Sequence, residues 1–204
     1  VDPYLSRPPM RAVFGRRALV SLPGSSGQAG LPGADAPLFT RVDAVLVGHT
    51  HFDHALDVPA LARQHGCRVY GSHSLRHLMG LHGIAEQAVA VEFGRVYEIG
   101  PFEVSFVASE HSKLLLGLKV PASGEICCES LAGLTGSAYR CGQVYGIHVR
   151  VAGMTFYHQG SANLVDEAIR ERKVDVFLAG VAGRGFTDDY WGRILPKLNP
   201  RAVV

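Results

Sequence analysis

The stretch Val42-Asp43-Ala44-Val45-Leu46-Val47-Gly48-His49-Thr50-His51-Phe52-Asp53-His54 decides how the rest of the chain is read. Its first half is a short apolar, β-rich run closed by a glycine, the pattern of a strand buried on both faces. That strand delivers the chain into three histidines and an aspartate within six residues. Alternate residues of extended chain project to the same side, so His49 and His51 can share one cation while Asp53 and His54 lie at its edge. Imidazole nitrogen suits zinc, and a neighbouring carboxylate either binds a second ion or holds a water. A solvated surface loop that merely contains three histidines is the plainer alternative. Four candidate ligands at a strand-helix junction, where functional loops sit, are too dense for that.

Working outward, the apolar positions Leu56, Val58, Ala60, Leu61 and Ala62 predict a helix from Ala55 to His65, ended by Gly66. A strand follows at Arg68 to Tyr70, then a helix from Ser72 to His82 with Leu75, Leu78, Met79 and Leu81 on its apolar side. Short strands are expected at Ala88 to Val91, Arg95 to Ile99 and Phe102 to Ala108, the last alternating and leading into the polar loop Ser109 to Ser112. Gln143 to Val151 and Met154 to Tyr157 read as a hairpin joined at Ala152-Gly153. A helix should begin near Asn163, with Asp166 and Glu167 in its first turn. A strand at Val174 to Ala179, a flexible loop to Gly185, a helix from Asp189 to Leu198 and a strand from Ala202 complete the pattern. The Gly/Pro/Ser/Ala-rich stretch Ser21 to Pro37 reads as a long mobile loop, and Pro121 to Cys141 as an insertion. Antiparallel strands before strand-helix alternation suggest a layered α/β protein with sheets at its centre.

Composition narrows the function. At 204 residues the chain can bury a core without staples, and 20 Lys and Arg against 18 Asp and Glu leave a net +2. That is far from the basic excess of a non-specific nucleic-acid or anionic-membrane binder, so neither is expected as a partner. Apolar runs such as Ala44 to Val47 fall well short of the ~20 residues that span a bilayer, so no transmembrane segment is expected. Cys67, Cys127, Cys128 and Cys141 form no Cys-x-x-Cys pair, which points to a reducing, cytoplasmic setting. Residues 1–204 read as a single domain. The start at Val1 without Met and the apolar end at Ala202-Val203-Val204 read as a fragment cut at both ends.

His49-Thr50-His51-Phe52-Asp53-His54 resembles the His-x-His-x-Asp-His signature of the metallo-β-lactamase superfamily, in the expected context of strand before and helix after. Within that superfamily the layout and the Asp2-Pro3-Tyr4 opening look most like the branch of ascorbate-6-phosphate lactonase and N-acyl-phosphatidylethanolamine phospholipase D. The resemblance implies a four-layer αβ/βα sandwich of two mixed β-sheets flanked by helices. It also implies that His49, His51 and a third histidine form one zinc site, with His111 in the matching place, while Asp53, His54 and later loops form another. Two departures bear on this. Where two-metal members carry an aspartate that bridges the ions, this chain has Ser161. A neutral hydroxyl is a far poorer ligand for a divalent cation, so the expectation is one zinc in preference to two. Alternatively, Ser161 is a turn residue leading into the helix at Asn163. The family's last histidine follows its final strand, and on this reading it lies beyond Val204, leaving the domain incomplete at its C-terminus.

What the resemblance implies is a hydrolase of small molecules. Zinc would lower the pKa of bound water to about 7, so that hydroxide forms at neutral pH. Asp53 would orient that water and take its proton, and Asp53 or His158 would protonate the leaving group. Esters, lactones and phosphodiesters are the expected substrates. Lys113 and Arg184 are the cations best placed to meet an anionic one. Two rival readings use the same scaffold: an iron-bearing oxidoreductase, and a non-catalytic member with a degraded second metal site. His73 and His77 read as helix-surface residues, and His65 and His82 as structural residues at helix ends. His148 reads as either solvent-exposed or facing a cleft.

Overall fold

Val45, Leu46 and Val47 are buried, the first two within and the third just beyond the first strand of a small parallel sheet. The computed structural model describes residues 1–20, 39–114, 116–170 and 173–204. The expected loop from Ser21 to Pro37 lies outside them. The described chain divides into two compact units, one made of Val1–Ala90 with Ala122–Gln143 and the other of Val91–Pro121 with Val144–Val204.

In the first unit, β1 (Ala44–Leu46), β2 (Arg68–Gly71) and β3 (Ala88–Ala90) form a sheet in the order β1-β2-β3, parallel throughout. A parallel pair needs a crossover, and helices supply it. After α1 (Met10–Val13), α2 (Phe52–Ala55) and α3 (Val58–His65) lie between β1 and β2, and α4 (His73–Leu81) lies between β2 and β3. The expected helix at Ala55 to His65 is thus split. Asp57 is fully buried at the break, where its carboxylate accepts from the backbone N–H groups of Leu5 at 2.6 Å and Ser6 at 2.8 Å and from the Ser6 hydroxyl. Pro59 then opens α3, and Gly66 ends it at φ 62°, a left-handed conformation that glycine takes without strain. Ser72 caps α4, its hydroxyl accepting from Leu75 N–H at 3.2 Å.

The stretch read as an insertion is instead part of this unit's core. Ile126, Leu134 and Tyr139 are buried with Val13, Leu56, Leu75 and Met79, and the Tyr139 hydroxyl donates to Leu19 O at 2.8 Å. Its apolar residues sit among two 3-10 turns, Leu131–Gly133 and Gly136–Ala138. They follow no helical or alternating period, which is why periodicity misses them.

The second unit is a mixed sheet in the order β4-β5-β6-β7-β8-β9. Strands β4 (Val96–Ile99), β5 (Phe102–Ser109), β6 (Val144–Val151) and β7 (Met154–Gln159) pair antiparallel, and β8 (Val176–Ala179) and β9 (Ala202–Val203) add in parallel. The β6-β7 hairpin turns at Ala152 (φ 50°) and Gly153 (φ 78°), both left-handed, as a two-residue turn matched to strand twist requires. One face of the sheet packs Tyr157 and Phe177 against Ile194 and Leu198 of α5 (Tyr190–Leu198).

The architecture is the expected α/β type with two sheets flanked by helices, but three particulars differ. Only the second sheet is mixed; the first, whose strands are joined by helical crossovers, is parallel throughout among the described residues. Strand-helix alternation comes first in the chain and the antiparallel meander follows, because helices separate β1 from β2 and β2 from β3. No α-helix begins near Asn163: among the described residues the segment makes a single 3-10 turn, Asp166–Ala168. Asn163 turns its side-chain oxygen onto the next backbone N–H, Leu164, at 2.9 Å, competing with helix formation. Asp166 is drawn to α5, where it takes two hydrogen bonds from Arg193 and lies 3.5 Å from Lys197 Nζ.

The Arg193 guanidinium holds the Asp166 carboxyl below its ordinary value despite partial burial. A depressed carboxyl stabilises the fold above its unfolded pKa and loses that contribution as pH falls through the folded value. Asp166→Asn should therefore cost about 0.5 kcal/mol at neutral pH, the gap to the parent closing in acid, as read by urea unfolding across pH. Gly142 sits at φ 62°, and a Cβ there would lie 2.8 Å from Thr50 Oγ1 and 2.9 Å from Ser74 Cβ. Gly142→Ala should cost about 2 kcal/mol or more in the same assay. Gly153→Ala, at φ 78° with nothing within 4 Å, should cost only the backbone strain.

Candidate metal centre

Beyond β1 the backbone is held residue by residue. Val47 N–H donates to Tyr70 O at 2.9 Å, and Gly48 N–H to Asp2 Oδ1 at 2.6 Å. Thr50 N–H donates to Cys141 O at 2.9 Å, and its hydroxyl to Arg140 O at 2.6 Å. His51 is extended (φ −62°, ψ 155°) and caps α2, its carbonyl accepting from His54 and Ala55 N–H. The loop therefore has little freedom to move its side chains.

The rings of His49 and His51 are both buried and meet edge-on, with centroids 4.8 Å apart. The His54 ring lies against His49 at 3.8 Å. Asp53 stays at the margin, its side chain 48% exposed and its Oδ2 3.8 Å from His54 Nε2. Desolvation works to lower the His54 pKa, but the carboxylate of Asp2, 3.1 Å from His54 Nδ1, outweighs it and leaves the value raised. A carboxylate on one imidazole nitrogen fixes the ring and leaves the other nitrogen for a ligand. Three imidazoles crowded into a poorly hydrated loop are a donor set of the borderline-soft kind that suits zinc and related divalent ions.

In the second unit, His111 follows β5 in the expected polar loop, half-buried, with Nδ1 2.7 Å from Ser112 O. Ser161 is buried beyond β7, and its hydroxyl accepts from Ser112 N–H at 2.9 Å and lies 3.3 Å from Ser112 Oγ. It is no lead-in to a helix, because none begins there. It holds the loop that bears His111. Ser112 Oγ donates to Ala182 O at 2.9 Å, adding a third strand-end loop to the same node. His158 is half-buried on β7, in register with Ile147 on one side and Leu178 on the other. His148 is buried on β6 and lines a cavity of about 690 Å³ together with Ser105, Arg150 and Arg170, so it faces a cleft. His77 lies at the surface of α4, with Nε2 2.8 Å from Cys128 O. Arg184 and Lys113 are exposed on loops of this unit.

Sequence reasoning passed over the positioning roles of Asp2 and of the Arg140 and Cys141 carbonyls, which hold the motif without belonging to it, and of Asp57, which ties Leu5 and Ser6 to the break between α2 and α3. Asp57 carried a usable signal, an acid inside the apolar run Leu56 to Ala62. Asp2 and the carbonyls of Arg140 and Cys141 carried none, since they reach the loop from 46 or more residues away.

Residues 18–195 match the Beta-lactamase superfamily domain family. Among curated proteins, the chain is similar over its whole length to a UPF0173 metal-dependent hydrolase of Anaeromyxobacter sp. (strain K), at 27% identity, spanning 65% of that relative. It is also similar to a UPF0173 metal-dependent hydrolase of Cupriavidus taiwanensis, at 36% identity over 44% of this chain and 32% of the relative. The chain thus spans about two thirds or less of the relatives it matches. In fold it is similar to Igni18, a metallo hydrolase of the archaeon Ignicoccus hospitalis, with a TM-score of 0.51 at 18% identity over 80% of this chain and 62% of that one. A mutant of the β-hydroxylase CmlA gives a TM-score of 0.51 at 19% identity over 86% of this chain and 39% of that one. No helix among the described residues is long and apolar enough to cross a membrane. With its His-x-His-x-Asp-His loop between a buried strand and a helix, and the family match running from residue 18 to 195, the chain belongs to the β-lactamase superfamily.

Proposed function

We propose that the protein is a zinc-dependent hydrolase of esters, lactones or phosphodiesters, with His49, His51 and His111 as ligands. The observation that carries this reading is the pair of buried, edge-on imidazoles of His49 and His51 in a loop fixed by backbone hydrogen bonds. Its curated relatives, named metal-dependent hydrolases, point the same way. The branch of ascorbate-6-phosphate lactonase and N-acyl-phosphatidylethanolamine phospholipase D is the proposed placement, resting on the overall layout and the Asp2-Pro3-Tyr4 opening. When bound, zinc supplies a water acidic near neutral pH and polarises the scissile carbonyl or phosphoryl oxygen.

The remaining work falls to the chain's own residues. Asp53, exposed at the edge of the imidazole cluster, orients the attacking water and takes its proton on a carboxylate oxygen. Asp53, or else His158, returns a proton to the leaving group. His54, held by Asp2, stands beside Asp53 and would contribute to any second ion. Ser161 supports a one-metal form, because its hydroxyl is already committed to Ser112. A small-molecule substrate and a cytoplasmic setting complete the proposal.

Metal analysis of protein purified without added ions, followed by assay against lactones, esters and phosphodiesters with zinc restored, tests the reading. His51→Ala should lose both the metal and the hydrolysis; a variant that keeps both would remove His51 from the site. Iron in place of zinc would favour the oxidoreductase alternative. Ser161→Asp should raise the zinc content at saturation from a single ion to two, since it restores an anionic bridging ligand. An unchanged stoichiometry would show that Ser161 does not limit the second site.

A further inference from the structure

Singly exposed apolar side chains are ordinary on a protein surface, but four on two loops in contact are not. Among the described residues Leu116, at 84%, is the most exposed large apolar side chain, with Leu118 at 77%, Phe186 at 49% and Val181 at 46%. All four lie on the two loops joined to Ser112, the residue after His111.

The joint between these loops is tight. Ser112 Oγ donates to Ala182 O, and a Cβ at Gly183 would lie 2.5 Å from Ser112 Oγ and 2.7 Å from Leu114 Cδ2, so only glycine fits there. A Cβ at Gly117 would lie 3.2 Å from Phe186 Cδ1, which places the ring directly against the tip of the first loop. That loop is closed by Leu114 N–H donating to Lys119 O at 3.0 Å. Phe186 and the tip of the first loop therefore form one lip, with Leu116 and Leu118 on either side of Gly117 in the chain and Val181 on the same loop as Phe186. The charges within the two loops are cationic: the stretches 112–120 and 180–187 contain Lys113, Lys119 and Arg184, and the nearest carboxylates in sequence are Glu110, Asp188 and Asp189 at their ends. Exposed apolar side chains on loops that carry cations match a molecule with an aryl or acyl body and an anionic group.

We infer that this lip binds the apolar portion of an anionic, amphiphilic small-molecule substrate, with Leu118 and Phe186 as specificity-determining contacts. Calling the occupant a substrate rests on the hydrolase reading above; the binding itself does not.

The probe is 8-anilinonaphthalene-1-sulfonate, an aryl anion, titrated into the full chain and followed by fluorescence. Leu118→Ser and Phe186→Ser should each weaken its binding about tenfold, whereas Met154→Ser, an exposed apolar change on β7, should leave it unaltered. Lys119→Gln and Arg184→Gln should weaken the sulfonate severalfold and leave the neutral N-phenyl-1-naphthylamine unaffected. Urea unfolding of each variant separates lost binding from lost folding. In protein that hydrolyses a substrate, the probe should raise KM and leave kcat unchanged.

Equal titration curves for parent and lip variants would overturn the inference. So would a dimer that Leu118→Ser dissolves, which would make the patch an interface between copies. Binding to phosphatidylglycerol vesicles that Leu118→Ser abolishes would assign it to a lipid surface instead. Failure to hydrolyse any ester, lactone or phosphodiester would remove the hydrolase reading while leaving the probe result standing.

Discussion

Two imidazoles that have given up most of their water, His49 and His51, impose the constraint on which the first unit is organised. Burying a polar ring is costly unless its surroundings are arranged for it, and a loop that carries two such rings cannot be left free. The chain meets this with contacts from three distant places. Asp2 takes the N–H of Gly48, Tyr70 the N–H of Val47, and the carbonyls of Arg140 and Cys141 take the hydroxyl and the N–H of Thr50 respectively. Each of these bonds fixes the backbone of the loop. Their effect is pre-organisation: the places of the two rings are set by the fold itself, so that little ordering would be left for an ion to bring about.

The second unit solves a similar problem with hydroxyls. Ser112 and Ser161 join the His111 loop to the end of β7, and Ser112 carries the link on to Ala182. A hydroxyl can donate and accept at once, which a carboxylate cannot, so serine at this position serves as a structural joint.

Much of the fold was legible in the sequence, because burial writes itself into period and punctuation. The strand before the motif, the helix ended by Gly66, the helix over Ser72 to His82 and the Ala152-Gly153 hairpin all appear where local rules put them, the second helix running from His73 to Leu81. The errors share a physical cause. At Asn163 local preference favoured a helix, but the Asn163 side chain took the backbone N–H of Leu164 and Asp166 was drawn to Arg193. In the stretch from 122 to 143, Ile126, Leu134 and Tyr139 are core residues with no repeating interval between them. Burial there is decided by what the chain returns to, and periodicity cannot register that.

The amino-acid sequence by itself determined the chemistry on offer: a dense set of imidazoles and a carboxylate at a strand-helix junction, and a charge balance with no bias toward polyanions. These are matters of residue type and short spacing, which covalent geometry fixes. Only the tertiary structure decided which distant groups support that chemistry. Asp2 against His54, the carbonyl of Cys141 on Thr50, Ser161 under Ser112 and Phe186 against Gly117 join residues tens of positions apart. No local rule encodes such pairs, because they form only when strands and helices have packed and the remaining polar groups must find partners.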